Sequence, residues 1–470
     1  MTQGTLAPRP HRWLALAALG CAVACGGGSG GDAPPAPEGL QVAVGDGAVS
    51  LAWRASSGAT AYEVTVSPEA PGAVVVVAGR SAAVRGLANG TRYLLAVRAT
   101  NADGASPAAQ LEATPTAVDP AAYAPLQVAG DDSPSGVFDP SVLRTSAGEL
   151  WLAYSGVDYH LDAQSHQVQD VSTRLARSAD GGRTFTFART LAAAGPATVT
   201  DTTHQLCGAT TCSGRWVHET PWLVEDAADP DPARRFKLFA MKYFLYPPAT
   251  PATVYALGAV VMWTAPTPGG AWSEEGPLLG WALTPPELAA PVDVNGLDPA
   301  LGDCVVLAEG GAWVRDGALD LVLSCPVPGA DPLPQKIVLL RSRDHARTFS
   351  YVSTLLEPED AAAYGASFFT APSLPPAADQ APVLLVTPTL SGFYAGCLAL
   401  PFADPVAGTL VRAGGVPVPI LGAPVPAAGH FGGACAWEGG LGAPGILIDD
   451  VVLGGPWPPQ FRILATGHGL

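Results

Sequence analysis

The chain has 470 residues, with 24 Lys and Arg against 41 Asp and Glu, a net charge of −17. Only 14% of residues are charged, while 54 glycines and 47 prolines punctuate the chain, which favours many short strands joined by turns over long helices. An acidic balance with no basic cluster argues against nucleic acid as a partner and against adhesion to anionic lipid through surface charge.

The N-terminus reads as a targeting segment. Arg9, His11 and Arg12 precede an apolar run from Trp13 to Ala24, too short to span a bilayer as a mature anchor. The run ends in Ala22-Val23-Ala24-Cys25, followed by Gly and Ser. This resembles a bacterial lipoprotein signal over residues 1–25, which implies lipidation at Cys25 (Cys21 is a second candidate). Residues 26–33 read as a flexible tether. The expected location is the cell envelope, at the outer surface or in the periplasm, with the membrane reached through the lipid. An ordinary secretory signal is the alternative reading. Export makes disulfides the natural reading of Cys207, Cys212, Cys304, Cys325, Cys397 and Cys435. The first two are close enough to pin one loop, the next two flank a predicted hairpin, and the last two would join the final blades of the ring described below. No Cys-x-x-Cys pair with a downstream His occurs, so no metal or other cofactor is expected.

Residues 34–117 show short alternating strands: Val42 and Val44, then Val49, Leu51 and Trp53, then Tyr62, Val64 and Val66, and finally Tyr93, Leu95 and Val97. This stretch resembles a fibronectin type III β-sandwich, with Trp53 in its core. Leu87 to Tyr93 is similar to that family's tyrosine corner, in which the Tyr93 hydroxyl bonds back to the backbone. The resemblance implies a spacer or positioning module.

From residue 122 to 470 the pattern changes to apolar strands in series around polar turns. Phe138 to Thr190 reads as four antiparallel strands, and that unit recurs with drift downstream. Its outer turn is Ser178-Ala179-Asp180-Gly181-Gly182-Arg183-Thr184-Phe185, and Ser342-Arg343-Asp344-His345-Ala346-Arg347-Thr348-Phe349 is a second copy. An Asp there accepts bonds from backbone N–H groups, Ser and Thr close the loop, and the aromatic packs between sheets. The two stretches resemble the Asp-box (BNR repeat) of sialidases and related β-propellers, where it is a fold-stabilising turn away from the active face. The expected fold class is therefore all-β: a fibronectin type III sandwich followed by a five-bladed β-propeller. Six blades are the alternative, should Leu126 to Ala129 and the C-terminus form a separate sheet.

Residues at the start of each inner strand converge on a propeller's channel. These are Asp139, then Glu219 with His218, then Glu309, with Ser367, Thr370 and His430 from blades four and five, joined by Asp158, Tyr159 and His160 from the long first-blade loop and by Trp216. Asp139-Pro140-Ser141-Val142 with Gly148 to Ser155 resembles the first blade of five-bladed arabinanase- and xylosidase-type glycoside hydrolases, which implies Asp139 as general base. Glu309-Gly310-Gly311 with Asp316-Gly317 is similar to their third blade, which implies Glu309 as general acid. That family's second-blade carboxylate follows a Pro; here Trp222 does, and Glu219 is the candidate substitute. Sialidase activity would need an Arg-Ile-Pro motif, and none occurs. Two functions follow as expectations. One is hydrolysis of glycosidic bonds by paired carboxyls. The other is a non-catalytic propeller binding glycan or protein at the surface.

Overall fold

The computed structural model describes residues 32–162, 167–202, 207–246, 258–280, 286–305, 308–330, 332–375, 380–438, 444–452, 455 and 457–470. The expected signal, including Cys25, lies outside them. Among the described residues no helix is long and apolar enough to cross a membrane.

The N-terminal module is a sandwich of two sheets. One orders Gln41–Val44, Ala48–Ala52, Ser81–Arg85 and Val74–Ala78. The other centres on Tyr93–Asn101, flanked by Ala61–Ser67 on one side and by Gly104–Ala105 and Ala109–Ala113 on the other. Strict alternation in Tyr93–Asn101 sends Tyr93, Leu95 and Val97 inward against Val49, Leu51, Trp53 and Val84. The Ala88 N–H donates to the Tyr93 hydroxyl at 3.0 Å, fixing the chain where it crosses between sheets.

The rest of the chain is a five-bladed propeller. Blade 1 runs Gly136–Arg144, Leu150–Leu161, Gln167–Ser178 and Thr184–Ala192, all antiparallel. Blade 2 runs Thr211–Glu225, Phe236–Leu245, Gly258–Ala265 and Ser273–Gly280. Blade 3 is Ala308–Arg315, Ala318–Pro326, Gln335–Ser342 and Ser350–Leu356. Blade 4 is Phe368–Ser373, Val383–Leu390, Cys397–Asp404 and Thr409–Leu410. Blade 5 has His430–Phe431, Leu447–Val452 and Phe461–Ala465, and takes its outermost strand from Ala124–Pro125 at the propeller's beginning. The adjacent Gln127–Ala129 joins blade 1. The start and end of the propeller thus close the ring together, which leaves five blades and not six.

One irregularity recurs at the hub. The pairing of the inner strand slips between Phe138 and Ser141, Glu219 and Trp222, Ala308 and Gly310, and Thr370 and Ser373. At these bulges non-glycine residues take left-handed backbone: Asp139 and Thr220 at φ 52°, and Ala371 at 45°, with Ala434 of blade 5 at 44°. Pro140, Pro221 and Pro372 follow directly, which a bulge tolerates because no ladder N–H is needed there. Close approach leaves no room for a side chain at Gly311, where a Cβ would sit 2.7 Å from the Ser373 Cα of blade 4.

The two outer turns are built alike. Asp180 accepts from the Thr184 N–H at 3.0 Å, the Thr184 hydroxyl at 2.7 Å and the Ser178 hydroxyl at 2.8 Å, while the Gly182 N–H donates to Ser178 Oγ at 2.8 Å. Asp344 accepts from the Thr348 N–H, the Thr348 hydroxyl and the Ser342 hydroxyl at 2.8, 2.6 and 2.8 Å. Phe185 and Phe349 are both buried between sheets. Disulfides link Cys207 to Cys212, Cys304 to Cys325 and Cys397 to Cys435. The last ties the third strand of blade 4 to the inner segment of blade 5.

Candidate functional site

Each blade contributes four consecutive residues to the hub: 139–142, 220–223, 309–312, 371–374 and 434–437. Asp139 and Glu309 hold the same place in their tetrads, at the bulge, where the chain turns a side chain toward the hub. The cavity they line holds only about 40 Å³.

The bulges also bind the acids across blade boundaries. Asp139 Oδ2 accepts from the Ser155 hydroxyl at 2.7 Å and from the bulge N–H of Thr220, in blade 2, at 3.2 Å. Glu309 Oε2 accepts from the Thr370 hydroxyl at 2.5 Å and from the bulge N–H of Ala371, in blade 4, at 3.0 Å. The Tyr394 hydroxyl donates to Glu309 Oε1. The N–H of Asp139 in turn donates to both oxygens of Asp449, in blade 5, at 2.9 and 3.0 Å.

Glu219 sits one residue before its bulge, so it is absent from the hub lining, and the Tyr243 side chain hydrogen-bonds its carboxyl. It is nonetheless electrostatically part of the cluster. Burial, then the charges of Asp139 and Glu309, push Glu219 up to about 8. Burial, then the charge of Glu309, pushes Asp139 up to about 7 against the hydrogen bonds from Ser155 and Thr220. Burial raises Glu309 as well, opposed by Thr370, Tyr394 and Ala371. Asp449, fully buried, is driven well above the carboxylate range by burial and by Asp139. Among the described residues no cationic side chain balances these four acids, so the cluster retains protons near neutral pH.

Tyr159 stands close to this cluster, because burial and then the charge of Glu219 push its hydroxyl up. Its ring stacks on Phe461 at 5.4 Å and meets Trp457 edge-on at 6.0 Å, and Phe461 meets Phe138 at 5.0 Å. These rings form an aromatic wall from blades 1 and 5, and Trp457 is 45% exposed. Asp158 and His160 flank Tyr159 and face each other at 3.4 Å. Trp216 and His218 are placed differently. Trp216 packs edge-on against Phe244 at 5.1 Å, with the Lys242 ammonium over its ring at 4.9 Å. His218 is buried beside Trp263, and burial, then the charge of Lys242, lowers it to about 4.

Among the described residues three groups bring possible metal ligands within 4.8 Å. Asp158, His160 and Asp170 form one, but the Arg215 guanidinium already holds Asp170, with Nε at 2.6 Å. In Asp226, Asp229 and His345 the cation's place is taken by the Lys237 ammonium, 3.0 and 2.8 Å from the two carboxylates. The third, Asp303 with Cys304 and Cys325, has its thiols in a disulfide.

Sequence reasoning placed Thr370 at the channel but did not find Asp449, Tyr394, Ser155 or Tyr243. Only Asp449 carried a local signal: Asp449-Asp450 interrupts the apolar run Ile446-Leu447-Ile448. Asp450 is bound by His430 at 2.8 Å and Arg462 at 2.6 Å, whereas Asp449 faces the hub.

Residues 35–114 match the fibronectin type III domain family. No curated protein matches the chain. Among solved structures, the chain is similar to Zg3597, a family 117 glycoside hydrolase produced by the marine bacterium Zobellia galactanivorans. Identity is 13%, coverage is 73% of this chain and 88% of that one, and the TM-score is 0.40. It is similar also to the Bombyx mori GH32 β-fructofuranosidase BmSUC1, at 11% identity, 74% and 62% coverage and a TM-score of 0.40. The sandwich is similar to the structure called FN3tt mut, at 24% identity, 18% and 97% coverage and a TM-score of 0.16.

Proposed function

We propose that this protein hydrolyses glycosidic bonds of an uncharged glycan at the mouth of the hub, with Glu309 as general acid and Asp139 as general base. One observation carries the reading: carboxyls from three successive blades meet in a buried cluster whose proton affinity is raised toward neutrality. Glycoside cleavage needs one carboxyl that holds its proton and one that has lost it, under the same conditions. Glu219, raised to about 8, keeps its proton at pH 7 and adds little charge against the working pair. The uncharged substrate follows from electrostatics. Among the described residues the hub has no cation to pair with a uronate or sialic acid, and its ionised base repels one, while the wall of Tyr159, Phe461 and Trp457 offers faces on which a sugar ring stacks. Export and anchoring through Cys25 would place this activity on glycans outside the cytoplasm.

The test is a panel of neutral oligosaccharides with a reducing-end readout. Glu309→Gln and Asp139→Asn should each lower turnover by about 10²- to 10⁴-fold, the usual contribution of a positioned acid or base. Unchanged turnover in Glu309→Gln would remove the assignment. The small hub cavity supports a second reading, a propeller that binds glycan without cleaving it. That reading expects saturable binding, no new reducing ends, and no effect of Glu309→Gln on affinity.

A further inference from the structure

We propose that the cleft between the fibronectin type III domain and the propeller is a second ligand site, one that takes a saccharide bearing carboxylate or sulfate groups. The cleft encloses about 460 Å³. That is within the ~300–1,000 Å³ of small-ligand sites, which favour domain junctions. It lies far from the acids. Glu309 opens the strand Ala308–Arg315 at the hub and Arg315, in the cleft wall, ends it, about 20 Å away at strand spacing.

Its charge is opposite to that of the chain. Arg54 and Arg80 enter from the sandwich and Arg315 from blade 3, against one lining carboxylate, the exposed Asp316. The groups behind them partly balance this. Arg80 reaches Asp404 at 3.2 Å, and Arg315 shares Asp320 with Arg341, at 3.2 and 2.6 Å. Four guanidiniums therefore face three carboxylates, in a protein whose net charge is −17. Arg54 has no ion pair among the described residues, and Arg80 keeps 42% of its side chain exposed. Between the arginines the wall carries Leu40, Pro382, Pro405 and Val406, the last 49% exposed, beside Gln41 and Ser81.

An apolar floor under a guanidinium rim fits one chemistry well. A sugar ring presents an apolar face, and its carboxylate or sulfate accepts the paired N–H donors of arginine. The site needs none of the hub carboxyls, so it stands whether or not the hub is hydrolytic. Joined to a hub that favours neutral sugar, it would tether the protein to an acidic polysaccharide while the opposite face works on another.

The experiment is calorimetric titration of the full chain carrying Glu309→Gln, so that turnover cannot consume the probe. The probes are a galacturonic acid hexamer, a chondroitin sulfate hexamer and, as the neutral control, cellohexaose. At least one acidic hexamer should bind saturably and weaken as salt rises, with cellohexaose unable to displace it. Arg54→Glu should weaken that binding by at least about tenfold, with Arg54→Lys between the two. Because Arg54 is exposed, its melting temperature should stay that of the parent chain. Binding of neither acidic hexamer, equal displacement by cellohexaose, or undiminished affinity in Arg54→Glu would each overturn the proposal.

Discussion

Replacing Glu219 by Gln should stabilise the protein, and the gain should grow with pH. In the folded chain Glu219 is raised to about 8 from its ordinary 4.5, first by burial and then by Asp139 and Glu309. A carboxyl raised on folding binds more protons folded than unfolded. Stability is therefore complete below pH 4.5 and declines as pH climbs through about 8. The interval of about 3.5 pH units corresponds to about 5 kcal/mol at 1.36 kcal/mol per unit. Burial and repulsion are shared with Asp139, so the net gain from Glu219→Gln at pH 9 should be nearer 2 kcal/mol. Gln keeps an oxygen for Tyr243 and introduces no charge. The assay is denaturant unfolding of the propeller at pH 5 and pH 9, monitored by tryptophan fluorescence. The variant should match the parent at pH 5 and exceed it at pH 9. Equal midpoints at both values would show that Glu219 is solvated and not part of a charge-starved cluster.

Lys237 is fully buried between Asp226 and Asp229 and also donates to the Arg234 carbonyl at 2.8 Å. Lys237→Met removes the buried cation between the two carboxylates, leaving Asp226 with His345 at 2.9 Å and Asp229 with Arg234 at 3.6 Å, and should cost about 3 kcal/mol in urea unfolding. Asp344 is drawn upward by burial but held at about 2 by its bonds from Thr348 and Ser342, so it stabilises the fold above pH 3.8 and stops doing so as pH falls through about 2. Asp344→Ala should cost about 1 kcal/mol at pH 7 in the same assay and almost nothing at pH 1.5. The Cys397–Cys435 bond spans 38 residues, and Cys397→Ala with Cys435→Ala should lower stability by about 2–4 kcal/mol, read as the difference from the parent in urea unfolding without reductant.

How far residue patterns carry the structure depends on the range of the interactions involved. The turn around Asp180 is closed by bonds within six residues, so its whole grammar is present in one short string. Tyr93 is similar: its partner is five residues away. Ring closure by Ala124–Pro125 needed only one further step, since a propeller's first strand and last blade must meet. The hub is another matter. Asp139 accepts bonds from 16 and 81 residues away and donates one to a residue 310 away, and Glu309 accepts from 61, 62 and 85. No local pattern marks Tyr394 or Thr370 as partners, because their role exists only once blade 4 lies beside blade 3. The same limit applies to His218. It neighbours Glu219 in the chain, but strand alternation sends adjacent side chains to opposite faces, and His218 faces the interior against Trp263.

The bulges explain why acids can be held at the hub. A regular inner strand would spend its N–H groups on its own ladder. The slip frees the bulge N–H, and left-handed backbone at Thr220 and Ala371 turns it toward the preceding blade, where it meets Asp139 and Glu309. Blade 1 applies the same device across the ring closure: the Asp139 N–H is received by Asp449 of blade 5. Asp139, Glu309 and Asp449 are therefore each gripped by a blade other than their own, while Glu219 is held by Tyr243 of its own blade. The geometry of the cluster is a property of the closed ring, and an isolated blade would carry the acids without the means to orient or protonate them.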